Sequence, residues 1–184
     1  MRPGLLLLSI LCNYCFSFAQ ADTTARRMML PNGWSLTPLG RSIPLGDLPL
    51  NIIVSPSKKY LAITNNGQST QSVQLIDAKK GRLLSEKIIP ESWLGLAFSS
   101  DEHYLYASGG NDNLIVKYRI TIGNQLEESD RIHLGEKWPV KISPAGMQVD
   151  EKSHTLYVVT KENNSLYIVD LNTKKSNSIP LGAE

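Results

Sequence analysis

The sequence predicts an all-β chain built from repeated units of four short strands. Apolar runs rich in Val, Ile, Leu and Tyr recur along the 184 residues and are bounded by Gly, Asn, Ser and Pro, as β-strands are. No long window shows the 3.6-residue apolar period of an amphipathic helix, so we expect almost no helix. The chain is 41% apolar and 20% charged, which is the composition of a globular protein rather than a disordered or fibrous one.

Three copies of one unit follow each other in the chain. In each copy an aligned leucine lies twelve positions after the start of the segment. The three pairs are Pro49 and Leu61, Trp93 and Leu105, and Pro144 and Leu156. Each copy then continues through three further strand-like runs. Tandem four-stranded units of this size are typical of β-propeller blades, whose strands are lettered A to D from the central channel outward. We predict blades at about 46–88, 90–132 and 135–182.

One further strand is predicted before the first blade. Residues 35–46 end in Ile43-Pro-Leu-Gly46, which is identical to Ile179-Pro-Leu-Gly182 at the end of the third unit. The segment is therefore predicted as a spare outer (D) strand without A, B and C strands of its own. Closed rings start at four blades, and an open arc would expose an apolar face at each end. We expect the N-terminal part of a larger propeller; assembly of several chains into a ring and a true three-blade arc are the alternatives.

The repeat motifs resemble those of a known family. Tyr60-Leu-Ala-Ile-Thr-Asn65, Val73-Gln-Leu-Ile-Asp77 and Ile43-Pro-Leu-Gly46 resemble the blade motifs of YVTN-repeat β-propellers. Residues 30–38 and 65–71 resemble the start of bacterial exported proteins that join a seven-bladed YVTN propeller to an alkaline-phosphatase-type domain. The resemblance implies a truncated propeller of that kind. The phosphatase-type domain, with its metal and nucleophile residues, is absent from this chain, so its activity is not carried over.

Residues 1–21 have the layout of a secretory signal peptide. Arg2 is followed by the apolar run Leu5 to Leu11 and by the small-residue cleavage pattern Ala19-Gln20-Ala21. The apolar stretch is too short to span a bilayer comfortably, so we expect no transmembrane segment after cleavage. Both cysteines lie in this segment, and cleavage would leave a chain without disulfide or thiol chemistry. We predict a lead-in over residues 22–34 and export to the periplasm or the extracellular space.

The charge and the motifs exclude several function classes. A formal net charge of +2 gives no electrostatic basis for nucleic-acid binding. Residues His103 and His154 recur at the A–B turn, where a solvated polar side chain is expected, and Asp77 and Asp170 end strand C as expected acceptors for turn N–H groups. No zinc-protease helix, nucleophile elbow or phosphate-binding glycine loop is present. We therefore predict no catalytic residue, metal or cofactor for this chain.

The candidate binding site lies on the face where the B–C and D–A loops emerge, which we call the top face. There the sequence places amide-rich loops at 65–72, 109–113 and 161–164 together with Trp and Lys side chains. Such groups suit a sugar, a small anion or a protein partner. The same residue types also form tight turns and wedge between blades, and that alternative stays open. The predicted ligand- or partner-binding residues are Asn65, Asn66, Gln68, Trp93, Asn111, Asp112, Asn113, Lys137, Trp138, Lys141, Lys161 and Asn163.

We therefore expect an exported, non-catalytic propeller module that binds a ligand or partner through its top face. Two alternatives belong to other classes. One is a lactonase-like hydrolase, as the resemblance to seven-bladed propellers allows. The other is a structural protein that acts in surface display or self-association through exposed blade faces.

Overall fold

The computed structural model describes residues 28–36, 40–137 and 139–182. The chain divides into two compact units, Met1–Ser42 and Ile43–Glu184. In the first unit, strands β1 (Met28–Met29) and β2 (Ser35–Leu36) pair as a short antiparallel hairpin. The predicted signal peptide and the first residues of the predicted lead-in lie outside the described residues.

The second unit contains three four-stranded antiparallel sheets in chain order. Blade 1 consists of β3 (Pro49–Val54), β4 (Tyr60–Asn65), β5 (Ser72–Asp77) and β6 (Arg82–Ile88). Blade 2 consists of β7 (Leu96–Phe98), β8 (Tyr104–Ser108), β9 (Leu114–Ile120) and β10 (Leu126–His133). Blade 3 consists of β11 (Pro144–Asp150), β12 (Thr155–Thr160), β13 (Ser165–Asp170) and β14 (Ser176–Pro180).

The prediction of an all-β chain is confirmed, and the sheets are blades of an incomplete β-propeller. Among the described residues the one helix is a single 3₁₀ turn, Gly110–Asp112. That part of the chain also holds no helix that meets the length and hydropathy needed to span a bilayer.

Two hydrophobic cores lie between the blades because each strand B has apolar residues on both faces. In blade 2 the aligned leucine Leu105 and Ala107 are fully buried in a core shared with blade 1. The side chain between them, Tyr106, points to the other face and is buried in a core shared with Leu156 and Val158 of blade 3. The period-two alternation of a strand therefore gives every blade one face for the preceding blade and one for the next.

The A–B turns of neighbouring blades are hydrogen-bonded to each other. The backbone N–H and the hydroxyl of Ser57 in blade 1 both donate to the carboxylate of Glu102 in blade 2. In the same way Ser100 in blade 2 donates to Glu151 in blade 3. Partial burial alone raises the pKa of Glu102, but the hydrogen bonds from Ser57 outweigh it and hold the pKa below its usual value. The acceptor in this contact is therefore an ionised carboxylate.

The C–D turns have the structure that the sequence predicts for them. Asp77 Oδ1 accepts the backbone N–H groups of Lys79 and Lys80 at 3.1 and 2.8 Å. Asp170 Oδ1 does the same for two N–H groups of its own turn. These backbone hydrogen bonds lower the pKa of both aspartates, because they stabilise the charged form.

The predicted spare outer strand at 35–46 does not form among the described residues, and its pairing with a further blade stays a prediction. Ser35–Leu36 pairs with β1, and residues 40–46 form no strand. An outer strand needs the free edge of a strand C. The three C strands, β5, β9 and β13, are each already paired on both sides by strands of their own blade. The identity of Ile43–Gly46 with Ile179–Gly182 therefore does not extend to an equivalent structure.

Candidate functional site

The top-face loops of all three blades surround one polar cavity of about 380 Å³. This volume lies within the range of small-molecule sites in proteins. The B–C loops contribute Asn66 and Gln71 from blade 1, Gly110 and Asn111 from blade 2, and the pair Lys161 and Glu162 from blade 3. The cavity therefore exists only when the three blades are packed side by side.

The D–A connections supply the rest of the lining. The connection from blade 1 to blade 2 contributes Glu91, Ser92 and Trp93, and the connection from blade 2 to blade 3 contributes Lys141 and Ser143. In each blade the chain after strand D is held against the B–C loop by a repeated backbone hydrogen bond. The residue after strand D donates to the residue before strand C, from Ile89 to Gln71, from Leu134 to Asn113 and from Leu181 to Asn164.

Amide side chains link neighbouring loops across the floor of the site. Asn66 Nδ2 donates to Gln71 Oε1 at 3.2 Å and also to the backbone carbonyl of Ser92. Asn111 Nδ2 donates to Glu91 Oε2 at 3.3 Å. These contacts fix the positions of the polar groups before any ligand arrives, which lowers the entropic cost of binding.

Opposite charges lie close together in the cavity wall. Lys161 Nζ lies 3.1 Å from Glu162 Oε1 and 5.1 Å from the centroid of the Trp93 ring, within the range of a cation–π contact. Trp93 Nε1 is buried and has no hydrogen-bond partner in the part of the chain that the structure describes. The indole therefore presents its ring, and not its N–H, to the cavity.

Five of the sequence-predicted site residues are brought together by the fold. The residues that line the cavity are Asn66, Trp93, Asn111, Lys141 and Lys161. They come from loops that lie far apart in the sequence but emerge on the same face of consecutive blades. The arrangement has hydrogen-bond donors, acceptors and one aromatic ring around a single concave space.

Two predicted residues are buried inside the loops and do not reach the cavity. Asn65 has no exposed surface and donates through Nδ2 to Ser72 Oγ at 3.2 Å. Asn113 is also fully buried, and its amide bonds to four backbone groups of the D–A connection that follows blade 2. The Asn113 amide is structural because the backbone groups of a tight loop need partners.

The other predicted residues in the described part of the chain do not line the cavity. Lys137 Nζ forms an ion pair with Asp112 at 3.0 Å, and Gln68 is exposed. Asn163 is engaged within blade 3, where its amide bonds to Thr160 and to the Tyr167 hydroxyl. Trp138 lies outside the described residues.

Sequence reasoning missed several lining residues. Gln71 lies in the loop 65–72, which the sequence analysis selects because it is rich in amide side chains, and its own side chain is such an amide. Glu91 and Ser92 precede Trp93 directly, so the D–A connection as a whole was the available signal. Glu162 lies in the loop 161–164 that the sequence analysis names, whereas Ser143, two residues after Lys141, carries no signal of its own. Among residues 28–36, 40–137 and 139–182 no group of three or more His, Cys, Asp or Glu residues is arranged to hold a metal ion.

Comparisons with known proteins bear on the fold. No protein-family model matches the sequence. A stretch of 75 residues is 27% identical to cilia- and flagella-associated protein 251 of Pongo abelii, and it covers 41% of this chain and 6% of that protein.

Solved structures share the arrangement of blades. Hydrazine synthase of Kuenenia stuttgartiensis superposes with a TM-score of 0.59 at 22% identity, over 72% of this chain and 36% of that one. The WD40 repeats of RRP9 superpose with a TM-score of 0.59 at 17% identity, over 76% of this chain and 41% of that one. The chain thus spans less than half the length of either structure. These likenesses show the fold of the three blades, that of an incomplete β-propeller.

Proposed function

We propose that this chain is an exported, non-catalytic β-propeller module that binds a neutral, polyhydroxylated ligand such as a saccharide in the top-face cavity. The single observation that carries the proposal is the convergence of polar groups from five loops of three blades on one concave space. The cavity has the volume of a small-molecule site, and its lining is more polar than that of most such sites, which suits a ligand rich in hydroxyl groups. The signal-peptide pattern of residues 1–21 supports export to the periplasm or beyond.

The charges of the lining favour a neutral ligand. The cavity wall contains two carboxylates, Glu91 and Glu162, and two ammonium groups, Lys141 and Lys161. A simple anion would meet both carboxylates, and a simple cation would meet both lysines. An apolar ligand would displace water from the charged groups of the lining and form no hydrogen bonds in its place, which is costly. Each hydroxyl group of a saccharide can both donate and accept a hydrogen bond. Such a ligand can therefore satisfy the carboxylates, the ammonium groups and the amides of the lining together.

The larger context is part of the same proposal. The motifs that resemble YVTN-repeat propellers, and the share of the matched structures that this chain covers, support a module that forms the N-terminal part of a larger propeller protein. In the bacterial exported relatives suggested by residues 30–38 and 65–71, a phosphatase-type domain follows the propeller. We propose that the blades here position a substrate for such a domain.

A protein partner is the second candidate. The WD40 neighbours support it, because WD40 domains are often protein-interaction modules. A partner protein would contact the polar rim around the cavity, including Gln68 and the Lys137–Asp112 ion pair, as well as the cavity itself.

Substitution of one lining amide tests the proposal. Gln71→Ala removes a cavity group and the acceptor of Asn66, and we expect it to weaken saccharide binding by about tenfold or more, the loss of roughly one well-placed hydrogen bond. The measurement is isothermal titration calorimetry with maltotriose, cellotriose and chitotriose. Inorganic phosphate and spermidine serve as charged probes, which we expect not to bind.

The matched control is Gln68→Ala, which changes the same residue type in the same loop outside the cavity. We expect this variant to bind as the unmodified chain does. The proposal fails if none of the three saccharides binds, or if Gln68→Ala weakens binding as much as Gln71→Ala.

A further inference from the structure

Trp93 supplies the one aromatic ring among the described residues that line the top-face cavity. Its backbone N–H donates to the carbonyl of Ser108 at 3.4 Å. Gly110 packs against it so closely that a Cβ added to the glycine would lie 3.3 Å from Trp93 Cβ. The indole Nε1 is buried. These contacts fix the position of the ring in the cavity wall.

An ammonium group lies over this ring. Lys161 Nζ is 5.1 Å from the ring centroid and 3.1 Å from Glu162 Oε1. The backbone of the pair is anchored, because the N–H groups of Lys161 and Glu162 donate to the carbonyls of Ser143 and Ile142 at 3.0 and 3.1 Å. The Lys161 side chain is 57% exposed and has a flexible four-carbon stem. The ring is therefore covered by a single side chain, which can move while both loops stay in place.

The contacts that hold Lys161 over the ring are weak. Exposed cation–π contacts and exposed ion pairs each contribute little, because water screens the charges. The face of an aromatic ring carries partial negative charge, which also attracts the C–H groups on the flat side of a pyranose ring. The hydroxyl groups at the edge of such a sugar stay free for the amides of the lining. A stacked sugar and the Lys161 ammonium would therefore compete for the same face of Trp93.

We propose that Trp93 makes the cavity specific for pyranose rings, which stack on it, and that Lys161 covers Trp93 until a sugar displaces the ammonium. This inference rests on the proposed function, because it concerns how a saccharide occupies the same cavity. It adds which residue recognises the sugar ring and which side chain the ligand must move. The displaced ammonium enters the water that already reaches it.

The fluorescence of Trp93 tests the cover without any ligand. The chain has three tryptophans, so Trp34→Phe and Trp138→Phe leave Trp93 as the single emitter. In this background we expect Lys161→Ala to raise the acrylamide quenching constant about twofold, because the stem and the ammonium no longer shield the ring. Lys59→Ala is the matched control. Lys59 Nζ also lies over an aromatic ring, at 4.6 Å, but in the A–B turn of blade 1, so the quenching constant should not change.

Titration with cellotriose, maltotriose and chitotriose tests the competition. We expect a bound sugar to shift the emission of Trp93. We expect Lys161→Ala to bind the sugar about three- to fivefold more tightly, because no cation–π contact has to be broken, and Lys59→Ala to bind it as the unmodified chain does.

The outcomes separate this inference from the proposed function. A sugar that binds without changing the emission of Trp93, or that binds Lys161→Ala no more tightly, overturns the inference and leaves the saccharide site in place. So does an unchanged quenching constant in Lys161→Ala. Absence of binding to both the unmodified chain and Lys161→Ala overturns the inference together with the proposed function.

Discussion

Asn113→Ala should lower the free energy of unfolding by about 2–4 kcal/mol, because two buried N–H groups lose their partner. Asn113 Oδ1 accepts from the backbone N–H of Ile142 at 3.2 Å and of Ser143 at 2.9 Å, and both residues are buried. Its Nδ2 donates to the carbonyls of Glu136 and Val140 at 2.6 Å each. Those two residues are exposed, so water can replace the lost donor there. The measurement is urea unfolding followed by circular dichroism.

Two further variants separate the effect of the lost amide from that of backbone strain on the free energy of unfolding. Asn113 has a left-handed backbone with φ of 52°, so Asn113→Gly removes the amide without adding backbone strain. We expect it to be more stable than Asn113→Ala by about 1 kcal/mol. The neighbouring Asn111→Ala loses one 3.3 Å hydrogen bond at the surface and should change stability by less than about 0.5 kcal/mol. Equal losses for Asn111→Ala and Asn113→Ala would contradict this structural role.

Gly110→Ala should lower the free energy of unfolding by about 2–4 kcal/mol through strain and overlap together. Gly110 has φ of +46°, a conformation that alanine adopts only with strain. A Cβ at this position would overlap the backbone carbonyl oxygen of Glu91 and lie 3.3 Å from Trp93 Cβ. Because both neighbours line the cavity, we also expect the substitution to displace its floor. Thermal and urea unfolding measure the first effect.

Gly123→Ala is the matched control for this prediction. Gly123 lies in a surface turn, and an added Cβ would meet only Thr121 Oγ1 at 3.8 Å. We expect a change of less than about 0.5 kcal/mol. A Gly110→Ala chain as stable as Gly123→Ala would show that the B–C loop of blade 2 does not approach Glu91 as described.

The blades could be predicted because their signal is repeated and local. The aligned leucines Leu61, Leu105 and Leu156 each begin a run with apolar residues on both faces, which a strand between two blades requires. A local pattern does not decide whether the predicted spare strand forms. Ile43–Gly46 has the residues of an outer strand, but whether it forms one depends on a free edge elsewhere in the fold. Pairing is a long-range property that a local motif does not contain.

The sequence predicts that the candidate site lies on the top face, but it identifies only some of the residues that line the cavity. Asn66 and Asn113 are both loop amides, and nothing in the local sequence distinguishes them. One lines the cavity, and the other is buried with four backbone partners, because the D–A connection after blade 2 folds over it. The sequence signal for Glu91 was limited to its place in the D–A connection before Trp93, since its role depends on the distant Asn111 reaching its carboxylate. Side-chain direction within a loop is set by tertiary packing rather than by residue type.

A paramagnetic label tests whether loops from three consecutive blades surround one space. With Cys12 and Cys15 replaced by serine, Gln71→Cys provides a single attachment site for a nitroxide. In the ¹⁵N spectrum we expect broadening of the amide signals of residues 110–111, 141–143 and 161–162, which share the cavity with position 71. Signals from the A–B turns at 56–59, 100–103 and 151–154, at the other end of the strands, should stay sharp. Broadening confined to blade 1, or spread equally to those turns, would contradict the account.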